Sequence, residues 1–129
     1  MLTWDHKYEL GHERIDFEHR IFLSLISDFQ MGIEQGFPKT KLIRIIREIA
    51  KYADFHFVSE ENIMADCNYP ELEQHAALHR LLLNQVKDYT YQFSLDEIEA
   101  LEVFEFLFNW FALHTTSEDR KLVGFVNNG

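Results

Sequence analysis

Residues Leu72–Phe93 read LEQHAALHRLLLNQVKDYTYQF, and the spacing of Leu72, His75, His79, Leu82, Val86, Tyr89 and Phe93 decides the fold. These positions recur at three- and four-residue steps, so they form one stripe along a helix. Two histidines stand on that stripe among leucines, and therefore face the core with them. Working outward, three more stripes of the same period appear. Ile15, His19, Phe22, Ile26 and Phe29 form the first, and Leu42, Ile45, Ile49, Tyr52, His56, Glu60 and Ile63 form the second. The fourth segment is apolar over much of its girth (Val103, Phe104, Phe106, Leu107, Phe108, Trp110, Phe111), which marks it as the most buried.

Breakers separate the stripes. Gly32, Gly36 and Pro38 close the first, and Cys67-Asn68-Tyr69 closes the second. Pro70 suits the first position of the third helix. Ser94-Leu-Asp-Glu97 reads as a capping box opening the fourth, and Asp16 as the cap of the first. Helices are expected at about 15–31, 39–66, 70–93 and 95–122, after a non-helical arm over 1–13 anchored by Trp4. Short loops between long helices predict an all-α, up-down-up-down antiparallel four-helix bundle in one domain, 1–129.

Composition excludes several functions. The 129 residues carry 22 acidic and 12 basic side chains, a net charge of −10, so binding to nucleic acid phosphates is not expected. No polybasic segment offers a hold on an anionic membrane, and no uncharged apolar run is long enough to span one. The first residues turn polar at once and lack the apolar region of a signal peptide. Cys67 is the only cysteine, so no intrachain disulfide forms, and it reads as incidental. A reducing, cytoplasmic location is the expectation.

The histidines carry the chemistry. His56/Glu60 and His75/His79 are four apart and share a helix face, and His114-Thr-Thr-Ser-Glu-Asp119 supplies another histidine beside acids. Imidazole with carboxylate is a donor set for iron or zinc. In an antiparallel bundle, His19 lies near the start of the first helix, His56 and Glu60 near the end of the second, His75 and His79 near the start of the third, and His114 and Asp119 near the end of the fourth. At about 1.5 Å of rise per residue, all seven fall within roughly 10–15 Å of one end. Five histidines and two carboxylates are too many donors for one ion and suit two. His6 and His12 stand in the arm and read as ordinary polar residues. Glu61 reads as solvated or one step removed from the metal.

One spacing is awkward. His114 and Asp119 are five apart, which turns them away from each other on an ideal helix, whereas Glu118 is at i+4. A widened, π-type final turn would bring Asp119 inward instead. Periodicity leaves both open.

In combination, the Trp4 arm, Ile15-Asp16-x-x-His19, His56-Phe57-x-x-Glu60-Glu61-x-x-Met64, Asn68-Tyr69-Pro70, His75-x-x-x-His79 and Trp110-x-x-x-His114-x-x-x-x-Asp119 form a specific pattern. By it the chain resembles the hemerythrin family over nearly its whole length, most closely the single-domain bacterial members, the bacteriohemerythrins. The resemblance implies a non-haem, oxo- or hydroxo-bridged di-iron centre that binds O2 reversibly, as an oxygen carrier, store or sensor and not an enzyme. Carried over by position, His75, His79 and His114 would ligate one iron, His19 and His56 the other, and Glu60 and Asp119 would bridge them. The match favours Asp119 over Glu118. The oxygen pocket would include Trp110, Phe111 and Thr115. The last two depart from the family pattern, where a smaller aliphatic and an isoleucine are common, and they bear on the lifetime of the oxygenated form.

Two other functions fit a metal-binding bundle. A ferritin-like di-iron oxidase would use paired Glu-x-x-His motifs, and the only match is Glu9-x-x-His12, in the arm. Iron or zinc storage without oxygen chemistry is the other.

Overall fold

The computed structural model describes residues 2–128. Four helical rods pack in a ring: α1 (Glu13–Glu34), α2 (Lys39–Asp66), α3 (Leu72–Ser94), and a fourth made of α4 (Ala100–His114), a π turn (Thr115–Asp119) and α5 (Arg120–Asn128). α1 packs against α2 and α4, and α3 against the same two, so chain neighbours are spatial neighbours in an up-down-up-down bundle. No strand occurs among the described residues.

Each of the first three helices is stopped by the same device. The C-cap residue is followed by one in the left-handed region: Gly36 (φ 72), Asn68 (φ 57) and Asp96 (φ 61). This geometry lets Phe37, Tyr69 and Glu97 N–H groups reach back to the carbonyls of Gly32, Met64 and Gln92, each at 2.9 Å. Glycine serves without strain at 36, and Asn and Asp are the side chains that best tolerate the conformation. Gly32 has a separate reason to lack a side chain, since a Cβ there would lie 2.7 Å from the Phe37 ring.

This third stop corrects the capping-box expectation. Ser94 is the last residue of α3, its hydroxyl donating to the Tyr91 carbonyl, and α4 starts only at Ala100. The motif has the letters of an N-terminal cap, but the left-handed Asp96, ion-paired to Lys39, makes it a C-terminal stop. Pro70 likewise sits in the turn ahead of α3, which begins at Leu72.

The arm is also more ordered than expected, with a 3-10 turn at His6–Tyr8. Tyr8 is buried against Phe111, ring centroids 5.2 Å apart, and Trp4 packs on Tyr8 at 5.5 Å. Arg20 covers the outer face of Trp4, 4.8 Å from its centroid. At the arm's end the cap of α1 is His12, whose Nδ1 accepts from the Ile15 N–H. Asp16 instead reaches back to accept from the N–H groups of Leu10, Gly11 and His12 at 2.9, 3.0 and 3.2 Å.

Two apolar clusters fill the bundle. The larger contains Phe22, Ile26, Phe29, Ile46, Ile49, Leu82, Val103 and Leu107, and the smaller Ile15, Met64, Tyr69, Leu122 and Val123. α4 is not the most buried helix: five of its 15 residues are buried against nine of 22 in α1, and Leu101 and Leu113 are 53 % and 70 % exposed. Apolar girth in the sequence overstated its enclosure.

Candidate metal centre

Seven polar side chains are buried on residues that otherwise belong to the core: His19, His56, Glu60, His75, His79, His114 and Asp119, none more than 6 % exposed. Each of the four rods contributes. α1 brings His19; α2 brings His56 and Glu60 one turn apart; α3 brings His75 and His79 one turn apart; the fourth rod brings His114 and Asp119. The helix stripes put six of these together and left Asp119 or Glu118 open, the resemblance favoured Asp119, and the structure brings all seven to one place.

Asp119 gets there through the π turn. A π turn closes i→i+5 in place of i→i+4 hydrogen bonds, so it takes in an extra residue and swings positions five apart round towards one face. His114 Nε2 is therefore 3.1 Å from Asp119 Oδ1. The hydroxyls of Thr116 and Ser117 bond back to the carbonyls of Ala112 and Leu113 at 2.7 and 2.6 Å, a pattern that distorts helices. Glu118 points outward to Lys121 at 3.5 Å.

The donors form two groups that share both carboxylates. In one, His19, His56, Glu60 and Asp119 have donor atoms within 4.8 Å of one another; in the other, His75, His79, His114, Glu60 and Asp119 do. Glu60 divides its oxygens between them: Oε2 lies 3.3 and 3.1 Å from the Nε2 atoms of His19 and His56, and Oε1 lies 3.4 and 3.2 Å from those of His75 and His79. Asp119 does the same, with Oδ2 3.0 Å from His19 Nε2 and Oδ1 2.9 Å from His75 Nε2.

These contacts do not satisfy the atoms involved. Both Glu60 oxygens, Asp119 Oδ1, His56 Nε2 and His79 Nε2 are buried without a hydrogen-bond partner. Buried polar atoms are rarely left so, and a fully enclosed carboxylate is costly without a partner. Cations between the imidazoles and the carboxylates would satisfy these orphaned atoms, so the residues fit metal ions.

Protons answer part of the same demand in the metal-free chain. Burial pushes the His56 imidazole down, but the adjacent Glu60 charge and the hydrogen bond to Glu18 outweigh it and raise the pKa to about 10. His75 is likewise raised to about 10, its burial overridden by Asp119 and Glu60. His19 is raised as well, chiefly by the Asp119 and Glu60 carboxylates beside its Nε2 acting against burial. Burial raises the Glu60 and Asp119 carboxyls, yet the surrounding histidines hold both well below the usual range.

Aromatic rings wall the cluster. Phe57 stacks on His79 with centroids 3.9 Å apart, and Trp110 stacks on His114 at 4.2 Å. Phe111 meets His19 edge-on at 5.8 Å, and both it and Thr115 are 1 % exposed. Trp110 thus stands on the His114 side and Phe111 on the His19 side. Cys67 is partly exposed, and its thiol points to the Met64 carbonyl.

Sequence reasoning missed Glu18, a buried acid whose Oε1 is 2.7 Å from His56 Nδ1. The signal for it is weak. It stands one residue before His19, about 100° round the helix, and which neighbour lies there depends on the handedness of the bundle. Glu61, read as solvated or one step removed from the metal, accepts from His79 Nδ1 at 2.9 Å and keeps its side chain 35 % exposed.

Residues 10–126 match the hemerythrin HHE cation binding domain. Among relatives, the bacteriohemerythrin of Clostridium acetobutylicum is 28 % identical over 132 residues, covering 95 % of this chain and 99 % of its own length. A bacteriohemerythrin of Pseudomonas aeruginosa is 26 % identical over 98 % of this chain and 82 % of its own length. The myohemerythrin of Theromyzon tessulatum is 24 % identical over 94 % and 90 %. Hemerythrins bind a di-iron centre, and the paired donor groups could hold its two ions. The bundle, the seven buried donors and the match along nearly the full length agree: this chain belongs to the hemerythrin family.

Proposed function

We propose that the protein binds dioxygen reversibly at a di-iron centre, with His75, His79 and His114 on one iron, His19 and His56 on the other, and Glu60 and Asp119 bridging. The observation that carries this is the division of each carboxylate's two oxygens between the two histidine groups. Hemerythrins are in general oxygen-binding, non-enzymatic proteins.

When bound, two ferrous ions supply the two electrons that reversible dioxygen binding draws on. The rest falls to the chain. Neutral imidazoles add no charge, so only the two carboxylates offset the metal charge and the pocket stays net cationic, which favours a reduced, anionic form of oxygen. The His19/His56 group would offer its iron one imidazole fewer than the other group, and it is on this side that dioxygen would be held. Phe111 and Phe22 beside that side, and Phe57 and Trp110 round the other, exclude the water and protons that would drive irreversible oxidation. No group is needed as a general acid or base.

Among the described residues no helix is long and apolar enough to cross a membrane, and the charge of −10 opposes nucleic acid binding. Dioxygen is therefore the one ligand we assign.

The test is direct. The protein is loaded with ferrous iron under argon, air is admitted and then removed, and the visible spectrum is followed. A charge-transfer band that appears and disappears supports the assignment. Irreversible bleaching would point to an oxidase, and iron uptake with no band to storage.

A further inference from the structure

Glu18 is a carboxylate that the ligand set does not use, yet it is among the most tightly held side chains in the protein. It is 5 % exposed. Oε1 lies 2.7 Å from His56 Nδ1, while Oε2 accepts from Ser59 Oγ at 3.1 Å and from Arg14 Nε at 3.0 Å. The Tyr52 hydroxyl donates to the Glu18 backbone carbonyl at 2.9 Å, tying α1 to α2 at this residue.

A carboxylate accepts and does not donate, so in the neutral ring that a metal ion requires Glu18 keeps the hydrogen of His56 on Nδ1 and leaves the lone pair on Nε2. That Nε2 is the atom turned into the centre, 3.1 Å from Glu60 Oε2 and without a hydrogen-bond partner. His19, the other histidine of this group, has no partner on its Nδ1. In the second group His79 has the half-buried Glu61, with no other hydrogen bond to fix that acid among the described residues, and the His75 Nδ1 is unpartnered. The buried carboxylate, held by three side chains, therefore serves the group with fewer histidines.

We propose that Glu18 is a positioning residue that sets metal affinity on the His19/His56 side. By fixing the tautomer and ring of His56 and raising its donor strength, it offsets the third imidazole that this side lacks. The proposal rests on the two-ion reading above but not on oxygen chemistry, and its test uses neither iron nor oxygen.

Cobalt(II) is titrated anaerobically into the metal-free protein, with calorimetry and the visible cobalt bands resolving two binding steps. Glu18→Gln keeps the size and an acceptor oxygen but removes the charge. It is expected to weaken one step by about 10–100-fold and leave the other within about twofold, the range typical when such a partner of a ligating histidine is lost. Ser59→Ala touches no ligand and should weaken the same step by a smaller factor. Glu61→Gln should weaken the other step. In the cobalt form, one solvent-exchangeable histidine N–H resonance, strongly shifted by the ion, should move in Glu18→Gln and stay in Glu61→Gln. If Glu18→Gln leaves both steps and that resonance unchanged, or weakens both steps equally as general loosening would, the role of Glu18 is overturned. Wild-type protein that takes up only one cobalt ion would overturn the two-ion reading, and this role with it.

Discussion

His114 and Asp119 stand five residues apart and still meet, Nε2 to Oδ1, at 3.1 Å. On an α-helix they would diverge by roughly 140°, given about 100° per residue. One π turn over Thr115–Asp119 cancels that divergence. It buries Asp119 and turns Glu118, the i+4 acid, towards Lys121. A single extra residue in the fourth rod thereby selects which acid enters the centre.

Exchanging each acid for its amide should therefore have opposite outcomes. Asp119→Asn keeps the shape but removes a charge that three histidines surround, and it should cut iron content from two ions per chain to one or none. Glu118→Gln should retain both. Metal analysis after anaerobic loading and desalting decides it; equal loss in both variants would contradict the π-turn account.

The fold and the convergence of His19, His56, Glu60, His75, His79 and His114 were legible because they rest on period. His19, His56, His75 and His79 share stripes with leucine and isoleucine, and a stripe states which way a side chain faces. Asp119 was legible only through family resemblance, since a π turn breaks the period that periodicity reads. Glu18 was illegible because its role depends on which helix lies on its flank. The Ser94–Glu97 stretch misled for another reason: capping-box letters and a left-handed stop at Asp96 draw on the same small polar residues.

The metal-free protein should be most stable in mildly acidic solution. His56 and His75 hold their protons up to about 10 in the fold, against an ordinary value of 6.5. For such raised groups the stabilisation is complete below about 6.5 and is lost as pH rises towards about 10. Glu60 and Asp119 are depressed, so their contribution holds above the ordinary carboxylate values of 4.5 and 3.8 and is lost in acid. Urea unfolding of chelator-stripped protein should show stability falling by on the order of a few kcal/mol between pH 6.5 and 10. Loaded protein should be nearly flat from pH 7 to 9, because metal replaces those protons. Loading at pH 7 should accordingly release protons, measurable with an indicator in weak buffer.

Asp16 should matter to the arm more than to the metal. Its carboxylate is the acceptor for three consecutive backbone N–H groups, Leu10 to His12, beside Gly11 at φ 95. Asp16→Ala should cost about 2–3 kcal/mol in urea unfolding, the scale of hydrogen bonds to a charged acceptor. It should also hasten proteolysis before residue 13, while iron content stays at the wild-type value. Loss of iron in that variant would mean that the arm holds the centre itself.

The lifetime of the oxygenated form should turn on Phe111 and Thr115, both 1 % exposed. Phe111 is wedged between His19 and Tyr8, so it separates the donor group with two histidines from the arm. Phe111→Ala should cost about 3–5 kcal/mol by leaving a cavity. It should also speed autoxidation, because the space beside His19 would admit water. Thr115 stands where an isoleucine is common in the family, and Thr115→Val removes its hydroxyl at nearly constant volume. With that buried proton donor gone from the residue after His114, the band of the oxygenated form should decay more slowly. Equal decay rates for wild type and Thr115→Val would mean that its hydroxyl faces away from bound oxygen, leaving Phe111 as the determinant.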